Sequence, residues 1–134
     1  MPLYVVKNET RERVLADRAL LADDSKTRRE GLLKRTEFPA GEGLLISPCE
    51  AIHMFGMKFA IDVVFYDRKK VVRKVVHSIP RNRIAFCFTA ATALELPAGT
   101  ALATGTVAGD QLSVVPKASE AESETRTPSA YAVA

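Results

Sequence analysis

At 134 residues, with 47% hydrophobic and 26% charged side chains and a net charge of +3, the chain has the size and balance of one soluble globular domain and is too short for two. No run of about 18 apolar residues is present to span a bilayer, no collagen or heptad repeat occurs, and Leu, Val and Phe are too plentiful for a disordered chain. The opening Met1-Pro-Leu-Tyr-Val-Val-Lys-Asn has no charged leader, apolar stretch and small-residue cleavage site, so a cytoplasmic location is expected.

Val5, Val6 and their neighbours open a short strand. The stretch from Arg13 to Asp24 reads two ways, because its Ala and Leu favour helix while its short apolar groups also fit a strand. Asp24 or Ser25 can cap a helix over Lys26 to Arg35, with Leu32 and Leu33 as its apolar contact and Gly31 weakening it by about 1 kcal/mol. Pro39, Gly41 and Gly43 end that helix and make a loop.

The character then turns to strand. Gly43-Leu-Leu-Ile-Ser is a short strand stopped by Pro48. Ile61 to Tyr66, the turn Asp67-Arg-Lys-Lys70 and Val71 to Ile79 form a hairpin, apolar on both faces in places. That predicts a central hairpin covered by the helix on one side and by further strands on the other. Phe86-Cys-Phe88, Ala93 to Leu96 and Gln111 to Val115 add strands, separated by the Gly-containing turns Pro97 to Thr100 and Ala108 to Asp110. The expected fold is α+β: a small β-rich domain over residues 1–115, mostly antiparallel and barrel- or sandwich-like, with one principal helix. Residues 116–134, rich in Ser, Glu, Thr and Pro, are expected to form a flexible tail outside the core.

Cys49 and Cys87 are far apart and outside any Cys-x-x-Cys unit, so they are expected as buried small hydrophobes. Two Cys and two His at scattered positions make a poor zinc set, and the copper(I) set Met54, Met57, His53 and Cys49 has softness but nothing to fix four-ligand geometry. No metal and no cofactor is implied.

Arg68, Lys69, Lys70, Arg73, Lys74, Arg81 and Arg83 fall in one stretch without an acid. Read blandly, they are the solvated face of a hairpin; read functionally, a polyanion surface, since counterion release needs clustered cations. No aromatic beyond Tyr66 interleaves with them, which argues against base recognition and makes nucleic acid a weaker expectation than a small ligand or a protein partner.

The densest chemistry lies between Cys49 and Asp62. Met54, Phe55, Met57 and Phe59 fit core packing, while His53, Lys58 and Asp62 fit the polar groups of a small-ligand pocket on an apolar wall. Asp62 sits in an apolar run and needs a partner: Arg28, Arg29, Lys58 or backbone N–H donors. Glu95, between Leu94 and Leu96, poses the same question more mildly, because strand alternation can point it at solvent. The two carboxylates would make an acid/base couple if they met. The phosphate-loop, dinucleotide, serine-hydrolase elbow and His-Glu-x-x-His motifs are absent.

Arg28-Arg-Glu-Gly31-Leu-Leu-Lys-Arg35, Gly43-Leu-Leu, Ile52 to Asp67, Leu94-Glu-Leu-Pro-Ala-Gly99-Thr and Gly105-x-x-x-Gly109-Asp110, in this order, resemble the uncharacterised bacterial and archaeal family called domain of unknown function 192. The resemblance runs from about residue 10 to 115. This chain departs from the family at Met54, Lys58 and Ala60, where Thr, Arg and Pro are usual, so a cation is kept at 58 but its bidentate fork is lost. The resemblance implies a compact β-rich α+β domain with residues 11–22 as strand, and no established activity, substrate or cofactor. It places a shared site, if there is one, among Arg28, Gly31, His53, Met57, Asp62, Glu95, Gly99, Gly109 and Asp110. The same residues also fit a purely structural account of turns, close packing and a buried ion pair.

The expected function is a non-catalytic ligand-binding or protein-interaction domain with its site at Arg28, His53, Lys58, Asp62 and Glu95. The alternatives are a small hydrolase or lyase using His53 with Asp62 or Glu95, and a polyanion-binding module using residues 68–83.

Overall fold

Ile61-Asp-Val-Val-Phe-Tyr carries β formers on both sides of its alternation, and it forms a strand buried along its whole length. The computed structural model describes residues 3–22, 36–48 and 51–117, with His53 described by its backbone alone. The strands are β1 (Leu3–Asn8), β2 (Arg13–Ala22), β3 (Glu42–Ile46), β4 (Ala51–His53), β5 (Ile61–Tyr66), β6 (Val72–Ile79), β7 (Ile84–Phe86), β8 (Thr92–Pro97) and β9 (Leu112–Pro116), with a short helix α1 (Thr100–Thr104) between β8 and β9.

Seven strands make one sheet in the order β6-β5-β8-β3-β2-β1-β9, and β4 pairs with β7 separately. Every described pairing is antiparallel except that of β2 with β3. The large sheet curls until its two edges touch at one end. Val71 bridges Gln111, Val72 N–H donates to Asp110 O at 2.8 Å, and Leu112 N–H donates to Lys70 O at 2.8 Å. The result is a half-barrel of the β-rich α+β kind that the composition and the resemblance led to expect.

Two apolar clusters fill the molecule, one on each side of this sheet. The inner cluster takes residues from all seven strands, among them Val6, Leu15, Ala16, Leu45, Val64, Val72, Leu94 and Leu112. The outer cluster joins Leu44, Ile46, Val63, Phe65 and Ala93 of the sheet to Ile52 of β4, Ala85 of β7, Met54 and Met57. The β4–β7 pair is thus a flap over the outer face. Met54 and Met57 pack as core residues, one of the two readings open from the sequence.

Of the two readings open for the stretch from Arg13, residues 13–22 take the strand, as the resemblance implied. Ala16 and Ala19 serve there as small inward residues: a Cβ on Gly43 of β3 would lie 3.1 Å from the Ala16 Cβ, so tertiary packing overrides helix propensity. Other expectations are corrected. The 61–79 hairpin is not central, because β6 is an edge strand and only β5 is covered on both faces. The strand expected at Phe86–Phe88 is Ile84–Phe86 instead, and β4 forms where no strand was expected. The turn after Pro97 runs into α1, too short to show a helical period in the sequence. The helix expected at 26–35 lies outside the described residues, as does the tail beyond Lys117. No helix among the described residues is long and apolar enough to cross a membrane.

Candidate functional site

Asp62 occupies an inward position of β5, between the outward-facing Ile61 and Val63. It is fully buried, and three backbone donors surround its carboxylate. Oδ1 accepts from Ser78 N–H at 2.7 Å; Oδ2 accepts from Gly99 N–H at 3.1 Å and from Ala101 N–H at 2.8 Å. The first bond holds the irregularity in β6 where Ile61 pairs with Ile79 but Val63 with Val76. The other two hold the left-handed Gly99 turn and the start of α1, where orphan N–H groups favour an anion. Of the partners open from the sequence, backbone N–H donors are those observed.

Glu95 is 1% exposed and is not turned to solvent. Its register partners Leu44 and Val63 both belong to the outer cluster, so it faces the outer side of the sheet. Both faces of β8 are buried, so alternation brings neither side of it to solvent. Asp62 and Glu95 therefore stand on opposite faces of the sheet, and the structure does not bring them together as an acid/base couple. The backbone of His53 lies on β4, on the outer side, away from the Asp62 carboxylate. Lys58 is exposed in the loop before β5. Arg28, Gly31 and Cys49 lie outside the described residues; Cys87 is half-buried against the outer cluster, with Sγ 3.3 Å from Thr89 Oγ1.

A cleft of about 750 Å³ opens instead at the rim of the half-barrel, where β3 and β5 end and β8 begins. It is lined by Ser47 and Pro48, by Tyr66, Asp67, Arg68 and Lys70, and by Ala90, Ala91 and Thr92. Asp67 builds the turn beside it: Oδ1 accepts from Lys69 N–H at 2.9 Å and Val71 N–H at 3.0 Å, while Oδ2 accepts from Arg73 Nε at 2.8 Å. The Val71 N–H above all, with the Arg73 and Lys69 donors, holds its carboxyl below the ordinary value against the opposing effect of burial. This acid is thereby neutralised locally. Arg68 and Lys70 make no ion pair among the described residues and give the cleft a positive wall.

On the opposite wall three hydroxyls meet. Thr92 Oγ1 donates to Ser47 Oγ at 3.2 Å and shares a hydrogen bond with Tyr66, whose phenol burial pushes up to about 12. The phenol stays protonated at neutral pH. A smaller, more open hollow of about 320 Å³ shares Asp67, Arg68, Ala90 and Ala91 with the cleft and adds Lys69, Arg73 and Thr89.

The seven cations do not share one face. Arg68, Lys69, Lys70 and Arg73 gather at the cleft, whereas Lys74 leaves β6 on the outer side, donates to Phe86 O at 2.9 Å and sits 5.0 Å from the centre of the Phe86 ring. Arg81 and Arg83, both exposed, lead from β6 into β7.

Residues 5–114 match the family DUF192, described as Uncharacterized ACR. The chain belongs to this family. A protein of unknown function from Novosphingobium aromaticivorans DSM 12444 has a similar fold, with a TM-score of 0.70 at 24% identity over 84% of each chain. A protein named as a candidate transcription regulator from Sinorhizobium meliloti 1021 aligns with a TM-score of 0.71 at 23% identity, over 84% of this chain and 92% of its own. No curated protein matches. In this DUF192 chain several motif positions are structural: Asp62 and Gly99 meet in the α1 cap, and Met57 is core. Asp110 accepts from Asn8 Nδ2 at 2.9 Å, Arg11 Nε at 3.0 Å and Val107 N–H at 3.1 Å, which ties the end of β1 to the start of β9. Asn8 and Arg11 escaped the sequence reading because their partner lies about a hundred positions away.

Proposed function

We infer that the domain binds a ligand without transforming it, and that its site is the rim cleft, which takes a small anion such as a phosphate-bearing molecule. The observation that carries this is the meeting of Arg68 and Lys70 with three hydroxyls around one cleft whose one acidic lining residue among the described residues, Asp67, is held by Arg73. The pocket expected around His53, Lys58 and Asp62 is the weaker location, since the Asp62 carboxylate is turned to the backbone. The hydrolase or lyase reading weakens for the same reason, Asp62 being buried and Glu95 lying on the other face.

The test is thermal stabilisation of the full chain by inorganic phosphate, pyrophosphate and citrate, because stabilisation grows with ligand concentration over Kd. Concentration-dependent stabilisation that Arg68→Gln abolishes supports the site. No stabilisation by any of the three overturns it.

A second reading, a polyanion-binding surface over residues 68–83, is favoured by Arg68, Lys69, Arg81 and Arg83, all exposed and without an ion-pair partner among the described residues.

A further inference from the structure

The outward face of β7 and the loop after it leave large apolar side chains in water: Ile84 is 60% exposed, Phe86 48% and Phe88 76%. Ala85, between the first two, points into the outer cluster, so Ile84 and Phe86 share the solvent side of the flap. The Phe86 and Phe88 ring centres are 5.1 Å apart with planes inclined at 35°, which makes one aromatic platform. One cation touches it and two more stand just upstream in the sequence. The Lys74 ammonium sits 5.0 Å from the Phe86 ring centre and spends one donor on the Phe86 carbonyl, leaving two free, while Arg81 and Arg83 enter β7 directly upstream. None of the three forms an ion pair among the described residues. The aromatics missing from the basic segment in the linear sequence are thus supplied in space by the strand across the turn.

We propose that this platform binds single-stranded nucleic acid, with unpaired bases stacking on Phe86 and Phe88 and backbone phosphates lying along Lys74, Arg81 and Arg83. The proposal rests on the polyanion reading and names its ligand. Exposed rings on a strand and the loop after it, beside cations that have no acidic partner among the described residues, match a chain of alternating flat bases and negative charges. A protein partner with an acidic face would satisfy the cations but leave the rings without a stacking role. A duplex would hide the bases from them.

The experiment compares binding of the full chain to a fluorescent oligothymidylate, to a hairpin duplex of equal length and to inorganic polyphosphate of similar charge, by fluorescence anisotropy with unlabelled polyphosphate as competitor. The expected result is preference for the single strand, weakened about tenfold by Phe88→Ala and restored by Phe88→Tyr. With three phosphates contacted, log K should fall against log salt with a slope of about −2. A circular dichroism melt at the wild-type midpoint shows that Phe88→Ala, which alters an exposed ring, leaves the fold intact. Equal affinity for polyphosphate and oligothymidylate, insensitive to Phe88→Ala, overturns the stacking proposal while the polyanion reading stands. Binding of neither overturns both.

Discussion

The Asp62 carboxylate accepts the Ala101 N–H at 2.8 Å across 39 residues of sequence, and through that bond β5 holds the first turn of α1. The same carboxylate reaches Ser78 and Gly99, so one buried charge joins three separate stretches of backbone. Asp62→Ala leaves three backbone donors without their acceptor, that of Ala101 fully buried, and should cost about 1–3 kcal/mol in urea unfolding. Asp62→Asn keeps one acceptor oxygen and should cost less. Full stability of both variants with loss of anion binding would instead make Asp62 a binding residue.

Asp110 responds to acid. Burial opposes its ionisation, but the Arg11 guanidinium, the Asn8 amide and the Val107 N–H hold its carboxyl below the ordinary 3.8. The folded state therefore binds this proton less readily than the unfolded state does. Its stabilising contribution is present above 3.8 and is lost as pH falls through the lower folded value. Arg11→Met should reduce stability at neutral pH by on the order of 1 kcal/mol, with the gap to the wild type closing in acid. A gap unchanged down to strongly acidic pH would contradict this role.

Tyr66 responds to base. With its phenol pushed from 10.0 to about 12, the unfolded chain ionises first, and stability is lost as pH rises between those values. A spectrophotometric titration at 295 nm should lose a transition near pH 12 in Tyr66→Phe. The cleft stays neutral on its hydroxyl side throughout the physiological range.

Gly43 tests the closeness of β3 to the inner cluster. Its backbone is ordinary, but an added Cβ would meet Ala16 at 3.1 Å, Leu94 at 3.3 Å and Leu96 at 3.4 Å. Gly43→Val should destabilise by about 1–3 kcal/mol through overpacking. An unchanged midpoint in urea would mean that β2 and β8 yield more readily than their burial suggests.

The sequence carried the strands whose residues alternate strongly or are apolar on both faces; β5 was read to the residue. It carried less where the deciding neighbour lies far along the chain. Strand alternation would let Glu95 face solvent, but burial of the outer face of β8 depends on residues far along the chain, which no local pattern announces. Asp62 announced a need for partners, yet which donors met it depended on a five-residue helix hidden in a turn. The cleft was invisible as a unit because Ser47, Tyr66 and Thr92 come from three strands. Phe86 and Lys74 are twelve residues apart, and only the packing of the flap against β6 puts the charge over the ring.

β1 and β9 pair from Tyr4 with Pro116 to Asn8 with Leu112, and Lys117 N–H donates to Leu3 O at 2.8 Å. On the ribosome, β1 must wait with one edge unpaired until β9, more than a hundred residues later, has been synthesised. Completion of the sheet is therefore a late event for the nascent chain. Until then the outer edge of β1 is open to pairing with other growing chains, a hazard that the basic Lys7 and the short length of the strand help to contain.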